Sequence, residues 1–229
     1  MEEAEGKVMK EKSMMILRKY DVEDKFSGMK FTKASVLLPV FLKDGKLHVL
    51  FTLRSMKLKT SPGEVCFPGG RSEPSDKDEI ETALREAKEE VGLLRSQVEF
   101  VSRLTPTITK DGTLVTPVVA VIQETFKPCP NPDEVTDVFV VPLDYFIKPT
   151  KYHTVPIKFK TLTRTMHFFE YEDPDSNKVF TIFGLTAHFA LMLAAILLEK
   201  GPSFNVLFDV DQQISSTEQW LLELNKSKL

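Results

Sequence analysis

The chain has 229 residues, of which 42% are hydrophobic and 28% charged, an ordinary globular composition that excludes an intrinsically disordered protein. Its 30 Lys and Arg against 33 Asp and Glu give a net charge of −3, which gives no support to a nucleic-acid-binding protein held by overall charge. The apolar stretch that contains 191–198 is far shorter than the roughly 20 residues that cross a bilayer, so no membrane span is expected.

The two ends of the sequence differ from its middle. Residues 1–25 are strongly charged and predict a loosely attached N-terminal helix or arm, with no apolar segment of the secretory kind. Residues 26–226 are expected to fold as a single domain. The tripeptide Ser227-Lys228-Leu229 matches the address read by the peroxisomal import receptor. The sequence therefore predicts a peroxisomal protein that binds this receptor.

Periodicity predicts the elements of the domain in chain order. Two apolar runs, 34–42 and 47–53, flank an Asp44-Gly45 turn and predict a β-hairpin. A short apolar run, 65–67, is then broken by Pro68-Gly69-Gly70 and a polar loop. Further strands are predicted at 98–104, 114–122, 135–141, 166–171 and 178–183, and helices at 76–92, 185–200 and 216–225. Together these elements predict an α+β fold in which a mixed β-sheet is sandwiched by helices.

The helix predicted from Asp76 to Gly92 carries an unusual row of acidic residues. Asp76 or Ser75 suits its N-cap, and Gly92 suits the position that ends it. Beside its apolar face, one stripe holds three glutamates, Glu79, Glu86 and Glu90, and the repulsion of Glu86 and Glu90, four residues apart, alone costs a few tenths of a kcal/mol. The spacing indicates either a solvated acidic face or a site for a hard cation such as Mg²⁺ or Mn²⁺.

Neighbouring residues favour the second interpretation. Gly69-Gly70 and the later segment 85–93, Arg-Glu-Ala-Lys-Glu-Glu-Val-Gly-Leu, resemble the signature of the Nudix hydrolases. The second half of that signature matches at every defined position. The first half is one residue longer here and has Asp76 or Lys77 where the pattern has a lone Glu, so a structural role at that position stays open. The resemblance implies a Nudix-type fold.

Segments 50–55 and 63–70 resemble the additional motif of the coenzyme A branch of this family, and 130–135 with 141–143 extends the likeness. The resemblance covers roughly residues 34–145, and more weakly reaches 200. It implies metal-dependent hydrolysis of the diphosphate of coenzyme A and acyl-coenzyme A to adenosine 3′,5′-bisphosphate and (acyl-)4′-phosphopantetheine. Two alternatives remain: a pyrophosphatase for a nucleotide sugar, dinucleotide or capped RNA, and a silent module that binds coenzyme A esters.

The resemblance also implies roles in the chemistry. Glu86, Glu90 and then Glu89 are expected to bind the metal, with the Gly69 carbonyl as a further ligand. Arg85 is expected to orient a glutamate through a salt bridge. The general base is open between Glu89 and a loop acid, for which Glu134 is the candidate, with a surface turn residue as the alternative.

Substrate binding is expected just before and within the glycine-rich segment. Arg54, Lys57 and Lys59 place three positive charges within six residues and are candidates for phosphate binding, together with Gly70. The alternative for the lysines is that they are edge-strand charges that discourage aggregation. Cys66 lies in the same region but has no base near it in sequence, which favours a small buried hydrophobic side chain.

Overall fold

The structure is a computed structural model that describes residues 2–159, 162–205 and 208–226, so Ser227-Lys228-Leu229 lies outside the described residues. The helices are α1 (Glu2–Arg18), α2 (Glu79–Val91), α3 (Asp144–Ile147), α4 (Gly184–Leu198) and α5 (Val210–Lys226). The strands are β1 (Thr32–Lys43), β2 (Lys46–Arg54), β3 (Val65–Cys66), β4 (Gly69–Arg71), β5 (Val98–Arg103), β6 (Thr107–Ile108), β7 (Thr113–Ile122), β8 (Val135–Pro142), β9 (Tyr152–Phe159), β10 (Leu162–Glu172) and β11 (Val179–Phe183). None of the helices described is long and apolar enough to cross a membrane.

The main sheet has eight strands and is mixed. Its central path runs β3-β2-β1-β7-β5, with β8 beside β2, β4 beside β1 and β6 beside β7. Strand β1 forms the predicted antiparallel hairpin with β2, and it runs parallel to β7. The hairpin turn places Asp44 and Gly45 at φ angles of 50° and 71°, the backbone that an Asp-Gly pair adopts readily.

Side chains alternate along the strands and form a core on each face of this sheet. On one face, Leu37 and Phe41 of β1 pack with Ala83, Ala87 and other apolar residues of α2. On the other face, Leu38 and Val40 pack with residues from α1 and α4. The prediction of an α+β fold with a mixed sheet between helices is therefore confirmed.

A second, three-stranded antiparallel sheet of order β11-β10-β9 is not hydrogen-bonded to the main sheet but packs against it, with Phe180 stacked on Phe139. The sequence analysis predicted the middle of β10 and the whole of β11 but missed β9. Strand β9 lies at an edge and exposes much of its length, including Val155 and Pro156. Because an edge strand tolerates proline and exposed lysines, its residues lack the alternation that marks a half-buried strand.

Three further expectations differ from the structure. Residues Gly69–Arg71 do not belong to a loop, because they pair with β1 as β4. Helix α5 begins at Val210, six residues before the predicted start. Helix α1 is not loosely attached along its whole length, because Met14, Ile16 and Leu17 are buried in the larger core.

Candidate active site

Helix α2 is fixed at both ends. It begins after Asp78, whose side chain accepts a hydrogen bond of 2.8 Å from the backbone N–H of Glu81. It ends at Gly92, where a left-handed backbone with φ 72° lets the N–H reach the carbonyls of Ala87 and Lys88. The predicted role of Gly92 is confirmed. The predicted caps, Asp76 and Ser75, are wrong, and Asp78 occupies the N-cap.

The last two turns of α2 bring the carboxylates of Glu86 and Glu90 into contact with the glycine-rich segment that contains Gly69 and Gly70. The backbone N–H of Gly69 donates to Glu90 Oε2 at 3.2 Å. A Cβ atom on Gly70 would lie 2.4 Å from Glu86 Oε1, so a side chain at this position would occupy the space of the carboxylate. Glu90 is only 4% exposed. The two glycines thus let two acidic groups lie directly against the main chain of β4.

Both carboxylates are held where a negative charge is costly. Burial raises the pKa of Glu90 to about 8, while the Gly69 N–H opposes this shift and the charges of Glu86 and Glu134 add to it. Burial is also the main cause that raises the pKa of Glu86, against the opposing effect of Arg85. A cation placed between these groups would offset the cost, because it neutralises charge that burial disfavours.

The donor chemistry of this pair fits a hard divalent cation. Carboxylate oxygens are the ligands that Mg²⁺ and Mn²⁺ prefer, and the Gly70 backbone leaves the space that Glu86 needs. In the residues that the structure describes, no group of three or more His, Cys, Asp or Glu side chains is arranged to hold a metal ion. The fit therefore depends on Glu86 and Glu90.

Of the other predicted acidic residues of α2, Glu89 shares Arg85 Nη1 with Glu86 and its charge helps to raise the pKa of Glu86, whereas Glu79 contacts other elements. Glu89 is 51% exposed, and its Oε2 lies 3.2 Å from Arg85 Nη1. Glu79, the first member of the predicted acidic stripe, contacts Ser27 Oγ at 3.3 Å and Lys33 Nζ at 3.4 Å instead. The stripe is thus divided between a structural ion pair at the start of α2 and the two carboxylates near its end.

All the N–H donors of the Arg85 guanidinium form hydrogen bonds with other groups of the protein. Its Nη1 donates to Glu86 at 2.9 Å and to Glu89, and its Nε and Nη2 donate to Asp76 at 3.0 Å. Nη2 also donates to the carbonyl of Arg71 at 2.9 Å. Because a guanidinium has five N–H donors, none is left for a substrate. The geometry is suited to holding Glu86 in place.

Asp76 is a site residue whose role the sequence analysis missed. Besides its paired bonds to Arg85, it accepts a hydrogen bond of 2.9 Å from Thr82 Oγ1. These contacts, above all those with Arg85, hold the pKa of Asp76 down at about 2. Its position in place of the lone Glu of the signature was the available signal. Asp76 is the carboxylate that fixes Arg85, which in turn holds Glu86.

Glu134 reaches the site from the loop before β8. Its carbonyl accepts a hydrogen bond of 2.8 Å from the Ser55 N–H, and its side chain accepts one of 3.3 Å from Asn131 Nδ2. Its charge contributes to the raised pKa values of both Glu86 and Glu90. The fold therefore places a third acidic side chain, remote in sequence, within electrostatic range of the pair.

The predicted cations occupy the end of β2 and the loop that follows. Arg54 donates from Nε and Nη2 to the carbonyl of Thr60 at 3.3 and 3.2 Å, and its charge opposes the rise in the pKa of Glu90. Lys57 Nζ lies 2.7 Å from Asp133, with both side chains exposed, and Lys59 is exposed in the same loop. Burial raises the pKa of Cys66 to about 11, so its thiol stays protonated and inert.

Comparison with known proteins gives consistent matches. The model of the NUDIX domain family matches residues 31–163, a range that contains every residue of the candidate site. The peroxisomal coenzyme A diphosphatase NUDT7 of Mus musculus is 46% identical over 213 residues, covering 92% of this chain and 90% of the mouse protein. The mitochondrial Nudix hydrolase 15 of Arabidopsis thaliana is 38% identical, covering 75% of this chain and 61% of the plant protein. NudL of Photorhabdus laumondii, an uncharacterized Nudix hydrolase, is 37% identical and covers 70% of this chain and 82% of its own.

Proposed function

This chain belongs to the NUDIX domain family, and from this premise we propose that it is a metal-dependent coenzyme A diphosphatase. The resemblance to the Nudix signature is thereby confirmed. The proposed reaction cleaves the diphosphate of coenzyme A or acyl-coenzyme A and yields adenosine 3′,5′-bisphosphate and 4′-phosphopantetheine or its acyl ester. The substrate is supported by the mouse relative, which bears the name of a coenzyme A diphosphatase and is similar over nearly its whole length.

One observation carries the hydrolytic part of the proposal. Glu86 and Glu90 lie against Gly69 and Gly70, in a place where burial raises the pKa of both side chains. We assign them as ligands of Mg²⁺ or Mn²⁺, with the Gly69 carbonyl and Glu89 as further candidates. When bound, such a cation neutralises diphosphate charge, orients the reacting phosphorus and lowers the pKa of a bound water.

We propose that residues of the protein orient the metal ligand, bind the substrate phosphates and accept the proton. Arg85, fixed by Asp76, holds the Glu86 carboxylate in one orientation. Arg54 is our candidate for binding a substrate phosphate through its planar guanidinium, with Lys57 and Lys59 as candidates that contribute positive charge along the adjacent loop. Glu134 is our candidate for the group that accepts the proton of the attacking water. No covalent intermediate with a protein nucleophile is needed, because phosphoryl transfer depends chiefly on positioning and charge stabilisation.

The substrate assignment is tested with a panel. Purified protein with Mg²⁺ or Mn²⁺ is given coenzyme A, acetyl-coenzyme A, a nucleotide sugar, a dinucleoside polyphosphate and capped RNA at equal concentrations. We expect the highest kcat/KM for the two coenzyme A compounds, with turnover abolished by a chelator. Preferential turnover of another compound would support the assignment as a hydrolase but contradict coenzyme A as its substrate. Turnover of none would leave the silent binding module.

The proposed location is the peroxisome, as named for the mouse relative, whereas the Arabidopsis relative is named mitochondrial. The tripeptide Ser227-Lys228-Leu229 is the proposed contact with the import receptor. A fluorescent protein fused before residue 1 leaves this tripeptide free, and we expect the fusion to co-localise with a peroxisomal matrix marker. A second fusion that lacks residues 227–229 is expected to stay outside peroxisomes. Equal distribution of the two would contradict the assignment.

A further inference from the structure

The loop that carries Glu134 is fastened to the C-terminal end of α2. The last carbonyls of a helix have no partner within the helix and must be satisfied by other groups. Here the N–H of Cys129 donates to the carbonyl of Val91, and the N–H of Asn131 donates to the carbonyl of Glu90, both at 2.9 Å. The loop therefore takes its position from the same helical turn that carries the Glu90 side chain.

Asn131 uses its other polar groups to shape the turn that ends in Glu134. Its carbonyl accepts hydrogen bonds from the N–H groups of Glu134 (3.0 Å) and Val135 (2.8 Å). Its Oδ1 accepts one from the N–H of Asp133 at 3.2 Å. With Oδ1 engaged in this way, the Nδ2 group is directed toward the Glu134 carboxylate, to which it donates at 3.3 Å.

We propose that Asn131 is a positioning residue that holds the Glu134 carboxylate in register with Glu90 for proton acceptance during hydrolysis. The inference rests on the proposed function and adds Asn131 to the residues that take part in the reaction. A donated hydrogen bond fixes the rotamer of Glu134, which would otherwise turn freely on a half-buried loop. The Ser55 N–H fixes the backbone of the same residue, so the side-chain amide of Asn131 acts on what remains free, the Glu134 side chain.

The test uses two substitutions of Asn131 in the full-length protein. Asn131→Ala removes the amide, and Asn131→Asp keeps its shape and the bond to Asp133 but turns the donor into a repelling carboxylate. We expect kcat for coenzyme A to fall about 10- to 100-fold in each, with KM changed less than about twofold. Gln219→Ala is the matched control, because Gln219 Nε2 donates to Glu223 Oε1 at 3.2 Å on the exposed face of α5.

A double-substitution cycle separates positioning from a structural role. If Asn131 acts through Glu134, adding Asn131→Ala to Glu134→Gln should cost no further activity. Asn131→Asp combined with Glu134→Gln exchanges donor and acceptor, so Tm should recover to the wild-type value while kcat stays low. Losses that multiply in the double variant, or a kcat that recovers together with Tm, would overturn the inference and leave the proposed function standing.

A readout that needs no turnover keeps the two proposals distinguishable. In nitrogen-15 spectra of the metal-free protein, the side-chain amide signals of Asn131 should shift when Glu134 is changed to Gln, and those of Asn225 should not. If wild-type protein fails to cleave coenzyme A, the proposed function fails, and these spectra still test whether Asn131 Nδ2 donates to the Glu134 carboxylate. Unchanged Asn131 signals would overturn the inference.

Discussion

Gly70 and Glu86 are related by a contact that leaves no room for a side chain at Gly70, since a Cβ there would lie 2.4 Å from Glu86 Oε1. We expect Gly70→Ala to displace the Glu86 carboxylate and to lower kcat/KM at least about 10-fold, because a substitution at a residue that contacts a metal ligand moves that ligand. Gly28→Ala is the control, because a Cβ at Gly28 meets no atom within 4 Å. Steady-state kinetics of both variants at saturating metal will test this, and equal activities would contradict it.

Removal of the Glu90 charge should raise stability while it removes activity. The pKa of Glu90 is raised from 4.5 to about 8, so between these values the unfolded chain releases a proton that the folded protein keeps. The stability of metal-free wild-type protein should therefore fall relative to Glu90→Gln as pH rises across this window. At pH 8.5 we expect the variant to be at least about 1 kcal/mol more stable, or about 2–4 °C in Tm.

The measurement is thermal unfolding in a chelator at several pH values from 5 to 8.5. Glu172→Gln, at an exposed position of β10, should follow the wild type throughout. A Tm difference between Glu90→Gln and wild type that does not grow with pH would show that Glu90 ionises as freely as a surface carboxylate.

Asp76→Asn should weaken both the fold and the site. The substitution removes the charge from the paired hydrogen bonds with Arg85, and bonds to charged groups contribute about 1.5–3 kcal/mol. We expect a loss of about 2 kcal/mol in the free energy of unfolding, measured in urea, and a lower kcat because Arg85 no longer holds Glu86. Asp175→Asn, at a residue with an 80% exposed side chain, should change neither quantity.

Two cations should affect substrate binding differently. Lys59 is exposed in the loop after Arg54, and our hypothesis is that it binds the 3′-phosphate, so we expect Lys59→Ala to raise KM for coenzyme A about 3- to 10-fold but not KM for 3′-dephospho-coenzyme A. Arg54→Ala should raise KM for both compounds, because it serves the diphosphate. Lys200→Ala, beyond the end of α4, is the control. Equal effects of Lys59→Ala on the two substrates would show that it does not bind the 3′-phosphate.

Local rules were enough for much of the fold. The Asp44-Gly45 turn predicted the hairpin because both residues tolerate the positive φ that a two-residue turn requires. Gly92 likewise predicted the end of α2. The N-cap was misplaced because Ser75, Asp76 and Asp78 are all good caps, and the choice among them depends on a side-chain contact between Asp76 and Arg85. The Asp76 carboxylate forms an ion pair with Arg85, and Asp78 is the residue that caps the helix.

The candidate site was predictable where residues share one helix and less so where loops meet it. Spacing placed Glu86 and Glu90 on one stripe, but it also included Glu79, whose partner Lys33 lies on β1. Burial, which raises the pKa of Glu90, depends on the packing of β4 against α2 and has no local signature. The contact between Asn131 and α2 depends on a loop returning across the sheet, so periodicity could not reveal it.

The most direct test of the account is the cleavage of coenzyme A in ¹⁸O-water with Mg²⁺ or Mn²⁺, read by mass spectrometry. We predict metal-dependent formation of 4′-phosphopantetheine and adenosine 3′,5′-bisphosphate, one of them carrying a single ¹⁸O that identifies the phosphorus attacked. The Glu86→Gln/Glu90→Gln variant should form neither product at a measurable rate, since it lacks the proposed metal ligands. Undiminished cleavage by that variant would contradict the assignment of these two carboxylates, and no cleavage by the wild type would contradict the proposed activity.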